Sequence, residues 1–210
     1  MDSIAGFILT GGQSRRMGTD KSRLTLEGQS FVERIAGELS AITPSVTVVG
    51  NNPTADDRQV NLPTIPDVYP QWGALGGVHA ALAACSAVWA LIVACDFPFV
   101  TEELFARLRT LGEDFDAVAP IQGDGIPQPL CALYRVESCL GRAEWLIKSG
   151  ERKPIALLQS VETRWVKFAE LSSLAGADHF FDNINTPEDY ARVSEKGIST
   201  DDVTRGSEQD

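Results

Sequence analysis

The feature that most constrains this chain is the alternation of strand-like apolar runs with helix-like segments, which begins at its first residues. Residues 89–94 read W-A-L-I-V-A, and a continuous apolar run of this kind is typical of a central parallel strand that is buried on both faces. Shorter strand-like runs lie at residues 6–9, 45–49, 64–67, 116–119 and 130–134. Because helix-like segments separate most of these runs, the sequence predicts an α/β fold with a mostly parallel central sheet and helices on both faces.

Caps and apolar spacing predict the helices. Ser30 and Glu33 have the spacing of a capping box, and apolar residues at positions 31, 35 and 39 would share one helix face. Further helices are expected over residues 76–84, 101–111 and 137–148, and a last one from Thr186. The second half is less regular, with short strands expected at residues 164–168 and 179–181 and an extended segment over 180–184.

Composition limits the classes of partner. The chain has 210 residues, 43% of them hydrophobic, and a net charge of −11. This acidity argues against a general nucleic-acid or anionic-membrane binder, so any basic residues that bind phosphate must be clustered locally. The four cysteines show no C-x-x-C pairing, which argues against a zinc site or a disulfide framework. Without a signal-like N-terminus or an apolar run near 18 residues, a cytoplasmic protein is expected.

One polar loop combines glycines with cations. Residues 9–21 read L-T-G-G-Q-S-R-R-M-G-T-D-K directly after an apolar run. Glycines let backbone N–H groups approach a ligand closely, and Arg16 and Lys21 could neutralise phosphate oxygens. The loop is neither the dinucleotide motif G-x-G-x-x-G nor the P-loop motif. It therefore indicates a different triphosphate cradle, and the alternative is a glycine-rich surface loop with solvated charges.

Further polar groups follow the predicted strands. Ligands of open α/β sheets bind at the carboxyl ends of strands. Besides the loop after Leu9, the turn at residues 50–52, Asp67 and Asp96 fall at such ends. The carboxylate of Asp96 is a hard oxygen ligand that suits Mg²⁺ on phosphates. The alternative for both aspartates is a turn-forming role.

The loop at residues 9–21 resembles the signature L-x-G-G-x-S-x-R-M-G-x-D-K of the nucleotidyltransferases, specifically the molybdenum cofactor guanylyltransferases. Thr10 stands where that family usually has alanine. The resemblance continues in order through residues 4–192. It includes an I-x-D segment with Asp67, the glycine-rich residues 73–77, C-D-F-P at 95–98, Q-P-L at 128–130 and N-I-N-T-P-E-D at 183–189.

This resemblance implies a single-domain, Rossmann-like nucleotidyltransferase fold over residues 1–193, followed by an acidic, frayed tail at 194–210. The N-terminal half would bind nucleotide and the C-terminal half the acceptor. The implied catalytic residues are Arg16, Lys21 and Asp96, with Asp96 as the metal ligand. The implied binding residues are Leu9, Thr10, Gly11, Gly12, Lys21, Asn51, Asp67, Gly76 and Asp96 for the nucleotide, and Gln128, Asn183 and Asn185 for the acceptor.

The function implied is transfer of GMP from GTP to molybdopterin or the molybdenum cofactor, with Mg²⁺ and release of pyrophosphate. The Gly11–Gly12 pair points to GTP, because related cytidylyltransferases resemble L-A-A-G at this place. Either Asn51 or Asn52 could contact the base. Other cofactor-biosynthesis proteins are expected as partners, whereas nucleic acid and membranes are not. The alternatives are a cytidylyl- or sugar-phosphate nucleotidyltransferase and a non-catalytic nucleotide sensor.

Overall fold

The computed structural model describes residues 2–10, 25–26, 28–50, 62–69, 71–182 and 184. The strands in these ranges are β1 (Ile4–Leu9), β2 (Thr25–Leu26), β3 (Gln29–Ser30), β4 (Val46–Val49), β5 (Thr64–Ile65), β6 (Trp89–Ala94), β7 (Ala117–Pro120), β8 (Cys131–Arg135) and β9 (Thr163–Val166). The α-helices are α1 (Phe31–Ile42), α2 (Gly73–Ala84), α3 (Glu102–Thr110), α4 (Val136–Lys148) and α5 (Ile155–Gln159). Short 3-10 helices span Phe168–Glu170 and Ala177–His179.

Seven strands form one sheet in the order β5-β4-β1-β6-β8-β7-β9, and β2 pairs with β3 in a separate hairpin. The pairs β1–β4, β1–β6, β4–β5 and β7–β9 are parallel. Only β8 is antiparallel to its neighbours β6 and β7 within this sheet. The mostly parallel α/β fold predicted from the sequence is therefore confirmed.

The sheet separates two apolar cores, because successive side chains of a strand point to opposite faces. In β6, Leu91 and Val93 pack on the face covered by α1 and α3. Ala90 and Ile92 pack on the other face, against α2, α4 and α5. All six residues of β6 are buried, as expected for a central strand.

Local signals for several elements are confirmed. Ser30 caps α1, its side chain accepts a hydrogen bond from the Glu33 N–H, and the Glu33 carboxylate accepts from the Ser30 N–H at 2.7 Å. Thr101 caps α3 in a similar way, by accepting from the Leu104 N–H. Helix α2 begins at Gly73, three residues before the predicted start.

The strand predicted at residues 179–181, and its extension over 180–182, is wrong. A 3-10 helix spans Ala177–His179, and the N–H of Asp182 donates to the carbonyl of His179, a local turn bond in place of a sheet ladder. The two phenylalanines at 180 and 181 resembled an apolar strand. Their rings instead pack edge to face, with centroids 6.2 Å apart. The strand predicted at 164–168 likewise ends at Val166, and Phe168 opens a 3-10 helix.

Among the described residues, none of the helices has the length and apolar character needed to cross a membrane.

Candidate functional site

Four parallel strands end in one row. Leu9 at the end of β1 pairs with Val49 of β4 and with Ala94 of β6, and Val49 pairs with Ile65 of β5. The chain leaves each of these strands at the same edge of the sheet. The sequence prediction that these carboxyl ends meet is confirmed, and the segments that follow them are the candidate site.

The first residues beyond the strands extend the pairing. The N–H of Thr10 donates to the Val49 carbonyl at 3.0 Å, and that of Gly50 donates to the Ile65 carbonyl at the same distance. The Thr10 hydroxyl also donates to the Val49 carbonyl, at 3.2 Å. A hydroxyl at this position is therefore satisfied by the neighbouring strand, which explains how threonine fits where the resembling family usually has alanine.

Leu9 is a core residue at the edge of the site. It is buried, and a Cβ on Gly77 would lie 3.4 Å from its side chain, so this side chain packs against α2. Its carbonyl accepts a hydrogen bond from the Cys95 N–H at 3.0 Å. Both groups are committed to the fold, and a nucleotide-binding role for Leu9 stays a prediction.

Asp67 lies in the loop between β5 and α2. Its Oδ1 accepts from the Tyr69 N–H at 2.8 Å, the geometry of an Asx turn. A Cβ on Gly76 would come within 2.5 Å of the Tyr69 carbonyl and 3.0 Å of Asp67 Oδ1. Gly76 thus has a packing reason to be glycine, because it lets the first turn of α2 lie directly under the aspartate. Partial burial raises the pKa of Asp67, and the Tyr69 N–H and His79 oppose this shift.

His79, for which the sequence predicted no functional role, packs against the Asp67 loop. It follows Gly76 by three residues and therefore lies on the same face of α2. Its ring packs edge to face on Tyr69, with centroids 5.0 Å apart. The residue is only 8% exposed, and its Nδ1 makes no hydrogen bond within the part of the chain described. Burial lowers the pKa of His79.

Trp72 anchors the same loop to α4. Its indole N–H donates to the carbonyl of Ile147 at 2.9 Å, and the guanidinium of Arg152 lies 5.1 Å from its ring centroid. No sequence motif carried this contact, since it joins residues 75 positions apart.

Asp96 lies two residues beyond β6 and is half-buried, with its Oδ1 enclosed. The segment around residue 180 packs on its loop. The Ile184 N–H donates to the Asp96 carbonyl at 3.3 Å, and the rings of Phe97 and Phe181 meet edge to face at 6.2 Å. This places the centre of the N-I-N motif beside Asp96. Asp182, from the same segment, has its Oδ2 2.9 Å from Nδ1 of His179.

Gln128 reaches the same edge because β8 runs in the opposite direction, so that its first residues lie beside the end of β6. The Leu130 carbonyl accepts from the Ala94 N–H at 2.7 Å, and the Gln128 N–H donates to the Pro120 carbonyl at 2.9 Å. The Gln128 side chain is buried, and its Nε2 donates to Oε1 of Gln122. Gln122 was not predicted as a site residue.

Several predicted site residues lie outside the described residues: Gly11, Gly12, Arg16, Lys21, Asn51, Asn183 and Asn185. Their roles stay predictions from the sequence.

Comparison with known proteins agrees with this geometry. Residues 6–164 match the family model of the MobA-like NTP transferase domain. The probable molybdenum cofactor guanylyltransferase of Pelotomaculum thermopropionicum is 33% identical over 193 residues, which cover 92% of this chain and 93% of that protein.

Two solved structures have the same fold. Molybdopterin-guanine dinucleotide biosynthesis protein A from Archaeoglobus fulgidus is 26% identical with a TM-score of 0.76, over 91% of this chain and 97% of that one. 4-diphosphocytidyl-2C-methyl-D-erythritol synthase from Anaerococcus prevotii has a TM-score of 0.68 at 13% identity, over 92% of this chain and 97% of that one, a likeness of fold alone. The chain therefore belongs to the MobA-like NTP transferase family, together with the molybdenum cofactor guanylyltransferases, and is a nucleotidyltransferase.

Proposed function

We propose that this enzyme transfers GMP from GTP to molybdopterin or the molybdenum cofactor and releases pyrophosphate, with Mg²⁺ as cofactor. The observation that carries the proposal is the row of four strand ends, with Asp67 beyond β5 at one end and Asp96 beyond β6 at the other. Three inter-strand spacings amount to about 14 Å, which suits an extended nucleotide. Strand β1, which ends at Leu9 where the predicted glycine-rich loop of residues 9–21 begins, lies between β5 and β6 in the sheet.

The reaction needs no covalent enzyme intermediate. A phosphate oxygen of the acceptor attacks the α-phosphorus of GTP, the bond to the β-phosphate oxygen breaks, and pyrophosphate leaves with its electron pair. Catalysis then comes from alignment and from neutralising the charge on the phosphates. In this proposal Lys21 and the backbone amides of the glycine-rich loop hold the triphosphate, and Arg16 stabilises the departing pyrophosphate.

The residues near Asp96 fit a magnesium ion. Mg²⁺ is usually held by one or two carboxylates together with substrate phosphates and water, not by an all-protein cage. The described ranges contain no group of three His, Cys, Asp or Glu residues that could form such a cage. A single carboxylate with an enclosed oxygen at the strand edge agrees with the first arrangement. The ion would supply charge neutralisation on the phosphates, and Asp96 would hold it.

The names of the relatives support the choice of substrates. The protein from Pelotomaculum thermopropionicum is a probable molybdenum cofactor guanylyltransferase, and the structure from Archaeoglobus fulgidus is named for molybdopterin-guanine dinucleotide biosynthesis. The fold does not choose the base, since a diphosphocytidyl-methylerythritol synthase shares it. Guanine selectivity therefore rests on the Gly11–Gly12 pair and on these relatives.

The test is incubation of the purified enzyme with molybdenum cofactor, Mg²⁺ and labelled GTP, with identification of the product and measurement of pyrophosphate. We expect a guanylylated pterin and stoichiometric pyrophosphate. In a parallel nucleotide panel, GTP should give the highest kcat/KM and ATP a poor one. A site that hydrogen-bonds the guanine edge leaves polar groups unpaired with adenine.

Two outcomes would contradict the proposal. A higher kcat/KM for CTP would favour a cytidylyltransferase. GTP binding without turnover, with the acceptor present, would favour a nucleotide sensor.

A further inference from the structure

A chain of side-chain hydrogen bonds leads from the tip of the β7–β8 connection to the candidate acceptor residue Gln128. The Asp124 carboxylate accepts from Nε2 of Gln122 at 2.6 Å, and Oε1 of Gln122 accepts from Nε2 of Gln128. This Asp124–Gln122–Gln128 chain contains one carboxylate and two amides. Asp124 is exposed, Gln122 is half-buried and Gln128 is buried, so the chain runs from solvent toward the site.

The Asp124 carboxylate fixes the donor-to-acceptor direction of the whole hydrogen-bond chain. An ionised Asp124 accepts hydrogen bonds but cannot donate one, so Gln122 must turn its Nε2 toward it. Gln122 then presents its Oε1 to Gln128, and Gln128 must donate a hydrogen bond from its own Nε2. The carbonyl oxygen of Gln128 is consequently the hydrogen-bond acceptor left for a ligand, since Gln122 engages the Nε2 of that amide.

The turn itself does not depend on the two glutamine amides. Backbone bonds close it, from the Gln122 N–H to the Ile126 carbonyl at 3.0 Å and from the Gly125 N–H to the Gln122 carbonyl at 2.9 Å. Gly125 has a φ of +87°, which glycine adopts without strain. The amide chain is therefore additional to what the turn requires.

We propose that Asp124 and Gln122 are positioning residues that set the amide of Gln128, so that it presents a hydrogen-bond acceptor to the substrate that receives the nucleotide. A carbonyl oxygen binds N–H or O–H donors and not phosphate oxygens. Gln128 thus recognises a donor-bearing part of that substrate, such as a heterocyclic N–H group, while its phosphate is bound elsewhere. This inference rests on the proposed function.

Two variants distinguish an effect on the orientation of the Gln128 amide from a general effect on the structure. Asp124→Asn keeps an oxygen for the Ile126 N–H, which donates to Asp124 Oδ1 at 3.0 Å. It places an NH2 against the Gln122 NH2, which favours a flip of both glutamine amides. The double variant Gln122→Glu/Asp124→Asn restores the original orientation of the Gln128 amide. A carboxylate at position 122 accepts hydrogen bonds from Asn at 124 and from Nε2 of Gln128. Asp114→Asn, at another exposed aspartate, controls for the lost charge.

Steady-state kinetics with the molybdenum cofactor as acceptor is the first measurement. We expect Asp124→Asn to lower kcat/KM for the acceptor about tenfold, the scale of one mismatched hydrogen bond. KM for GTP and the melting temperature should stay unchanged. The double variant should recover most of the loss, and Asp114→Asn should resemble the wild type. Unchanged acceptor kinetics in Asp124→Asn, or no recovery in a folded double variant, would overturn the proposal.

The second measurement does not need turnover. In NMR spectra, the side-chain NH2 of Gln128 should show a coupling across its hydrogen bond to the side-chain carbonyl carbon of residue 122. This coupling should be present in the wild type and the double variant and lost in Asp124→Asn. If the wild type does not transfer a nucleotide to the cofactor but shows this pattern, the proposed function fails and the orienting chain stands. If Asp124→Asn keeps the coupling, the orienting role itself is wrong.

Discussion

At the scale of single residues, Asp96 is the side chain on which the proposed chemistry depends most. Asp96→Asn keeps the shape of the side chain and removes its charge. We expect an unchanged melting temperature and a turnover lowered about a hundredfold or more, as for the loss of one preorganised electrostatic group. Turnover by the purified, folded variant decides the matter, and a near-wild-type rate would rule out Asp96 as the metal ligand.

Gly76 offers a second residue-scale test, in which packing and binding are coupled. In Gly76→Ala the new Cβ would meet the Tyr69 carbonyl at 2.5 Å, so the turn that carries Asp67 must move. We expect a stability loss of about 1 to 3 kcal/mol and weaker GTP binding by calorimetry.

Gly37→Ala is the matched control for this variant. Gly37 is also helical, in α1, and a Cβ there would have nothing within 4 Å. Since alanine favours a helix over glycine by up to about 1 kcal/mol, this control should be at least as stable as the wild type. Equal effects of the two substitutions would refute the close-packing argument for Gly76.

The sequence predicts single residues well where a strand ends and poorly where a side chain reaches across the fold. Asp67 and Asp96 could be placed at one sheet edge from apolar runs alone, because parallel strands share that edge. The contact of Trp72 with Ile147 and the pairing of Gln122 with Gln128 had no such signal. They depend on how α4 packs on α2 and on how β8 returns beside β6.

At the scale of elements, the packing of α2 against its neighbours buries His79 among groups of both charges. Burial lowers the pKa of His79 below 6.5; Glu144 on α4 and Asp67 oppose this, and Lys148 adds to it. The tyrosine that contacts its ring, Tyr69, donates its backbone N–H to Asp67. Because the unfolded chain takes up a proton near pH 6.5 and the folded one does so only at lower pH, acidification below 6.5 should destabilise the fold.

His79→Gln removes this titration while keeping a polar side chain. We expect the difference in melting temperature between the wild type and the variant to be constant above about pH 7. Between about pH 6.5 and pH 5 the melting temperature of the wild type should fall more than that of the variant. The raised pKa of Asp67 acts in the opposite sense, above 3.8, and stays raised in the variant, because His79 only opposes that shift. Parallel melting curves over this range would show that His79 does not titrate differently on folding.

Element prediction succeeded where one local signal sufficed. The run at Trp89–Ala94 and the Ser30 capping box gave β6 and α1 directly. The direction of β8 was not predicted, although residues 121–130 contain a D-G turn and no helix. A connection of that kind favours an antiparallel return, since parallel strands need a longer crossover. The end of the 3-10 helix at His179 and the turn that follows it were mistaken for a strand at residues 179–181, because local hydrophobicity alone does not separate a strand from a buried turn.

At the scale of the whole molecule, the reactivity of the four cysteines can be used to measure how cooperatively the two apolar cores unfold. All four are free thiols, and Cys95, Cys131 and Cys139 are buried whereas Cys85 is half-buried. Burial raises the pKa of Cys131 and of Cys139 to about 12, so neither forms a reactive thiolate near neutral pH. Burial also raises the pKa of Cys85.

We therefore expect Ellman's reagent, at about pH 8, to modify no more than one thiol of the native protein readily, and all four at once in denaturant. Cys85→Ser should abolish the early reaction. Cys131 lies on β8 and Cys139 on α4, and both are fully buried, so modification of these two requires the packing of the sheet to open. Their rates should rise with urea in proportion to the globally unfolded population measured by circular dichroism. If either thiol reacted quickly without loss of the circular dichroism signal, α4 and β8 would form a separately opening unit, and the sheet would not unfold as one.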